Sequence, residues 1–178
     1  MIAVHKKPSV DYDVDSDSDF YTMALTDPDA PSRQDPRFGQ YLHWLVVNIP
    51  GNDIEKGQAL FDYVGAGPPK DTGASREHSR PRFRVALTPH PPAGLHRYAF
   101  LLYRQWSGAI PDIAETEGMK DNTAESAEFR PKWDARKFAL KYNMGEPVGL
   151  TYFKAEHDEF SDRIFDLRKE ASEERGEL

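Results

Sequence analysis

The chain has 178 residues, 38% hydrophobic and 30% charged, with no cysteine, a net charge of −7 and a pI near 5.4. This length suits one domain with a core of its own, and the lack of thiols excludes a disulfide framework, a thiolate zinc site and a cysteine nucleophile. The acidic balance argues against nucleic acid or an anionic membrane surface as the main partner, and no run approaches the length of a membrane span. The opening "MIAVHKKPSV" has no apolar stretch behind its positive charges, so a cytoplasmic protein is expected.

Residues 11–19, "DYDVDSDSD", place Asp at every second position, like the start of a calcium loop. Counted from Asp11, the sixth position is Ser16 rather than Gly and the twelfth is Thr22 rather than Glu, so the segment reads as a solvated edge or turn. Strand-like runs follow at 20–26 ("FYTMALT"), 41–49 ("YLHWLVVNI") and 97–105 ("RYAFLLYRQ"), the last apolar enough to be buried on both faces. Pro/Gly-rich connectors between them predict a mainly β core. Residues 74–94 hold four arginines and four prolines without periodicity and read as a loop insertion.

Helices are expected only late in the chain. Asp134 can cap "ARKFALKYNM", where Phe138 and Tyr142 share a face and Gly145 ends the run. A strand over "VGLTYFKA" precedes a helix with the stripe Phe160, Ile164 and Leu167, and residues 169–178 form a charged tail.

Four side chains carry the candidate chemistry. Asp27 and Asp29 lie in "DPDAP", where Pro28 and Pro31 stiffen the loop and leave the Asp29 carboxylate to bond backbone nearby or something outside the chain. His43 and His96 each adjoin an apolar strand, and "VGAGPPKDTG" can bring backbone N–H groups close to a ligand. Such a set could ligate a metal, although its spacing resembles no helical or ribbon ligand pair. "DPD" also mimics an Asp-x-Asp sugar-nucleotide transferase motif, but the chain lacks the α/β pattern which that motif needs. In the third chemistry imidazoles donate to a phosphate while carboxylates orient them, which points to a ligand bearing both signs.

In order, "DPDAPSR", "HWLVVNIPGNDI", "YVGAGPP" and "GLHRYAFLLYRQ" resemble the phosphatidylethanolamine-binding protein family, over about residues 8 to 168. This family includes the Raf kinase inhibitor protein and plant flowering-time regulators. The resemblance implies a mainly β fold with peripheral helices and a small anion pocket for phosphate or the phosphoethanolamine headgroup of phosphatidylethanolamine. By motif position Asp27, Pro31, His43, Gly67, Pro68 and His96 would line or support that pocket, with Tyr98 behind it. Tyr41 stands where relatives often carry tryptophan, and Phe165 where the C-terminal helix often carries tyrosine. No cofactor, metal or catalytic residue is implied; the expected role is non-enzymatic binding and regulation, with a protein kinase or a serine protease as target. The alternative, from another class, is a hydrolase or transferase using the Asp/His set on phosphate esters.

The chain also departs from the family pattern. Relatives place strands ahead of the segment matching "PSVDYDV", so a single domain over 1–178 is expected to lack its N-terminal strands. Residues 74–94 separate Gly73 from Leu95 in what is normally one loop. Lys137 stands where kinase inhibitors of the mammalian type carry a phosphorylatable serine, so that switch is expected to be absent.

Overall fold

The computed structural model describes residues 6–69, 95–118, 129–159 and 161–163. Within them the chain forms strands β1 (Phe20–Asp27), β2 (Tyr41–Pro50), β3 (Gln58–Phe61), β4 (His96–Gln105) and β5 (Gly149–Ala155), with short helices α1 (Ile113–Thr116) and α2 (Ala135–Lys141). A 3₁₀ turn, Ile54–Lys56, joins β2 to β3. The strands make one sheet in the order β3-β2-β1-β4-β5, with antiparallel pairing throughout. The mainly β architecture expected from the strand runs is therefore present. Because β1 runs opposite to β2 and β4, its C-terminal end meets their N-terminal ends. Asp27, Tyr41, His43, His96 and Tyr98 thus share one end of the sheet.

Alternation along the strands produces two cores. Ala24, Leu45, Val47, Leu101 and Tyr103 face Ile113, Ala135, Phe138, Ala139 and Met144, so the helices cover this side. Tyr21, Met23, Leu25, Trp44, Val46 and Tyr98 face the other way, where Val10, Tyr12 and Val14 pack against them. The acidic run at 11–19 is thus a strap over the sheet, with apolar residues set inward between the aspartates. Tyr12 donates to the Gly51 carbonyl at 2.9 Å, and Arg104 ties Asp15 and Asp19 down at 3.0 and 2.9 Å. The expectation for β4 needs adjusting. Its buried residues are His96, Tyr98, Leu101, Tyr103 and Gln105, whereas Arg97, Ala99 and Arg104 are half-buried. The arginines require this, since their charged heads must reach carboxylates or water.

Asp134 caps α2 as its sequence suggests, accepting from the Lys137 amide at 2.9 Å, a contact worth about 1 kcal/mol. The helix stops at Tyr142, ahead of Gly145, and Asn143 takes a positive φ of 54°. The proposed insertion at 74–94, the stripe of Phe160, Ile164 and Leu167, and the tail at 169–178 lie outside the described residues.

Candidate functional site

The sheet end that gathers both histidines opens into a cavity of about 260 Å³. Asp27, Pro31, Tyr41, His43, Gly67, His96 and Tyr98 line it. Pro68 does not. It is buried behind the wall, and its carbonyl accepts from His157 Nδ1 at 3.0 Å. Phe165 lies outside the described residues.

The second carboxylate of "DPD" has a different task from the first. Asp27 Oδ2 accepts from His96 Nδ1 at 2.7 Å, and its Oδ1 accepts from the Asp29 amide at 2.8 Å. Asp29 turns away from the cavity. Its Oδ2 accepts from both the backbone N–H and Nε of Arg97, at 2.9 and 2.8 Å, and its Oδ1 accepts from Arg97 Nη2 at 2.6 Å. His96 and Arg97 are consecutive, so these contacts close a ring from imidazole to Asp27, to Asp29, to Arg97 and back along the chain. Burial alone would raise the Asp29 pKa; the hydrogen bonds and charge of Arg97, helped by Arg33, outweigh it and hold the carboxyl below the usual aspartate range. Bonding to Asp29 likewise holds the Arg97 guanidinium above its ordinary value.

His43 is aimed by an irregularity of β2. Leu25 pairs with Trp44 while Thr26 pairs with Leu42, leaving His43 as an extra residue in the ladder. Such a bulge re-aims a side chain. Its backbone carbonyl accepts from the Val64 amide at 2.8 Å and from Arg130 Nη1 at 3.2 Å, and its ring Nδ1 donates to the Val64 carbonyl at 2.8 Å. Tyr98 sits between the two imidazoles. Its ring meets His43 edge-on at 5.0 Å, lies nearly parallel to His96 at 6.5 Å, and stacks on Phe153 at 5.1 Å.

The β1–β2 connection forms the outer wall. The Phe38 amide donates to the Ala30 carbonyl at 3.0 Å, and the Lys132 amide donates to the Phe38 carbonyl at 2.9 Å. A Cβ on Gly39 would stand 2.4 Å from the Pro28 carbonyl oxygen, so this crossing requires glycine. Ala30, Phe38, Gly65, Pro69 and Pro131 also line the cavity and escaped the reading of the sequence. Arg97 had a signal there, since a rigid loop with two carboxylates calls for a cation nearby. Arg130 had none, because its guanidinium donates to the carbonyls of Leu42, His43 and Asp62, all distant in sequence.

A family model described as phosphatidylethanolamine-binding protein matches residues 5–153. The putative odorant-binding protein A5 of Drosophila melanogaster is 35% identical over 154 residues, which span 86% of this chain and 60% of that relative's length. The solution structure of CG7054 is 37% identical with a TM-score of 0.54, over 89% of this chain and 69% of that one. A carboxypeptidase Y inhibitor, crystallised with its cognate proteinase, shares the fold at 24% identity and a TM-score of 0.54, over 82% of this chain and 63% of its own. With the model match running through every strand down to β5, this chain belongs to the phosphatidylethanolamine-binding protein family.

Proposed function

We propose that the cavity binds a phosphate-bearing ligand, phosphate or a phosphoethanolamine headgroup, through His43 and His96, and that the protein acts by binding rather than by turnover. The observation that carries this reading is the convergence of two imidazoles from different strands on one cavity, with Asp27 orienting His96 at 2.7 Å. Oriented imidazoles suit an oxyanion. The remaining wall is mostly proline, glycine and aromatic carbon, which suits the apolar part of a lipid or peptide ligand. A protein kinase or a serine protease is the proposed downstream target, and the complex of the carboxypeptidase Y inhibitor with its proteinase supports the second. Titration calorimetry with phosphoethanolamine tests the site. His43→Ala or His96→Ala should each cost about 1–3 kcal/mol of binding, the range for a charge-assisted hydrogen bond. Equal affinity in both variants and the parent would refute the reading.

A further inference from the structure

Both cavity histidines meet an obligate acceptor at the same ring atom. His43 Nδ1 lies 2.8 Å from the Val64 carbonyl and His96 Nδ1 lies 2.7 Å from Asp27 Oδ2. A carbonyl and an ionised carboxylate can only accept, so each Nδ1 must carry the proton. A neutral imidazole has a single N–H, and here Nδ1 holds it. The edge opposite, Nε2, is then an acceptor in both neutral rings and becomes a donor only when the ring is protonated.

Resting on the headgroup reading above, we propose that oxyanion binding in this cavity is coupled to proton uptake by His43 and His96, whose Nδ1 partners fix the tautomer that cannot donate from Nε2 while neutral. The proton comes from solvent and buffer and is added at Nε2; no bond of the ligand breaks. The charged and titratable groups that face these rings among the described residues fit the scheme. Asp27 faces His96 and balances an imidazolium there. Tyr41 and Tyr98 flank His43 at 5.1 and 5.0 Å, while the Arg130 guanidinium reaches its backbone carbonyl rather than its ring. Arg97 is engaged by Asp29. A ligand that brings its own proton can use the neutral rings instead. A phosphate monoester, whose second pKa is about 6, is such a ligand; sulfate is not.

Sulfate is therefore the discriminating probe. Calorimetry of sulfate binding to the full chain near pH 8, in two buffers of different ionisation enthalpy, should show uptake of about one to two protons. Affinity should fall as pH rises, by about tenfold per pH unit for each proton taken up. Histidine ring ¹⁵N spectra should place the neutral proton on Nδ1 of both residues. In Asp27→Asn the side-chain amide can donate to His96 Nδ1 and move the proton to Nε2, so uptake should drop by about one proton. Sulfate binding without proton uptake overturns the coupling and leaves the headgroup reading intact. So do an Nε2–H tautomer in either parent ring, unchanged uptake in Asp27→Asn, and binding of phosphoethanolamine but not sulfate. If neither anion binds at any pH, both the coupling and the headgroup reading fall.

Discussion

Asp29 grips Arg97 by three hydrogen bonds, one of them to the backbone amide that links Arg97 to His96. The Asp29 side chain is almost fully buried while the Arg97 side chain is 41% exposed, so the pair is anchored at one end and solvated at the other. Asp29→Asn should cost about 2–3 kcal/mol, below the full penalty for a buried pair because Arg97 can still reach water. The pH dependence follows from the lowered Asp29 pKa. A depressed carboxyl contributes its stability fully above the unfolded value of about 3.9, and loses it as pH falls from there toward the folded value. Urea unfolding should thus separate parent and variant at neutral pH and bring them together in acid. A gap that persists undiminished below about pH 3 would contradict this account.

Arg130 does for His43 what Asp29 does for His96. It is 3% exposed and donates to three carbonyls, two of them at the bulge that points His43 into the cavity. Arg130→Met keeps most of the volume but leaves those carbonyls short of donors, which should cost about 2–4 kcal/mol. The bulge should relax as well, weakening phosphoethanolamine by about tenfold or more, equivalent to about 1.4 kcal/mol. Arg130→Lys, which restores one charged donor, should recover part of both losses. Lower stability with unchanged affinity would show that the bulge holds His43 without this arginine.

The strands, the capped helix and most of the cavity residues were legible in the sequence because their signals are local. Alternation, an Asp before an amphipathic run and a Pro-stiffened Asp loop each lie within about ten residues. What was illegible depends on contacts between distant segments. Pro131 reaches the cavity because the Arg130 carbonyl accepts from the Leu42 amide at 2.9 Å and Lys132 bonds Phe38. β3 is only four residues long, and nothing in "QALF" alone says that it pairs with β2. Within the Gly-Pro-Pro run Gly67 and Pro69 line the cavity while Pro68 is buried facing His157, a distinction that the motif alone does not show. The aspartates at 11–19 hid a strap because their charge masked the alternation of Val10, Tyr12 and Val14.

Gly39 sets how closely the outer wall approaches the Asp loop. A methyl group there would meet the Pro28 carbonyl oxygen at 2.4 Å and the Pro36 carbonyl oxygen at 3.2 Å, both backbone atoms. Gly39→Ala must push the two segments apart, at about 1–3 kcal/mol by analogy with overpacking elsewhere. Phe38 precedes this residue, Tyr41 lies two positions after it, and both line the cavity, so phosphoethanolamine affinity should fall with stability. Thermal unfolding and calorimetry on one preparation would check both, and a variant as stable as the parent would mean that the wall has slack.

The far end of the sheet supplies the contrast that gives the other variants meaning. Gln105, at the end of β4, is 4% exposed. Its Oε1 accepts from Thr22 Oγ1 and from the Asn48 amide, both at 2.8 Å, and its Nε2 donates to Asn48 Oδ1 and the Gly108 carbonyl at 2.8 and 3.0 Å. Asn48, at a positive φ of 55°, completes the network by exchanging two bonds with Ile110, at 2.7 and 2.9 Å. This network joins β1, β2 and β4 where the cavity does not reach. Gln105→Leu is close in size but strips partners from Thr22, Asn48 and Gly108, so about 2–4 kcal/mol should be lost as buried polar groups go unmet. The antiparallel ladders between this end and the cavity remain, and distant sites with no shared partners add nearly independently. Gln105→Leu should therefore lower the urea midpoint as much as Asp29→Asn or more, while phosphoethanolamine affinity stays within about twofold of the parent. If affinity collapsed in this variant too, the affinity losses expected for Arg130 and Gly39 would reflect general loosening of the sheet rather than the positioning of His43 and of the outer wall.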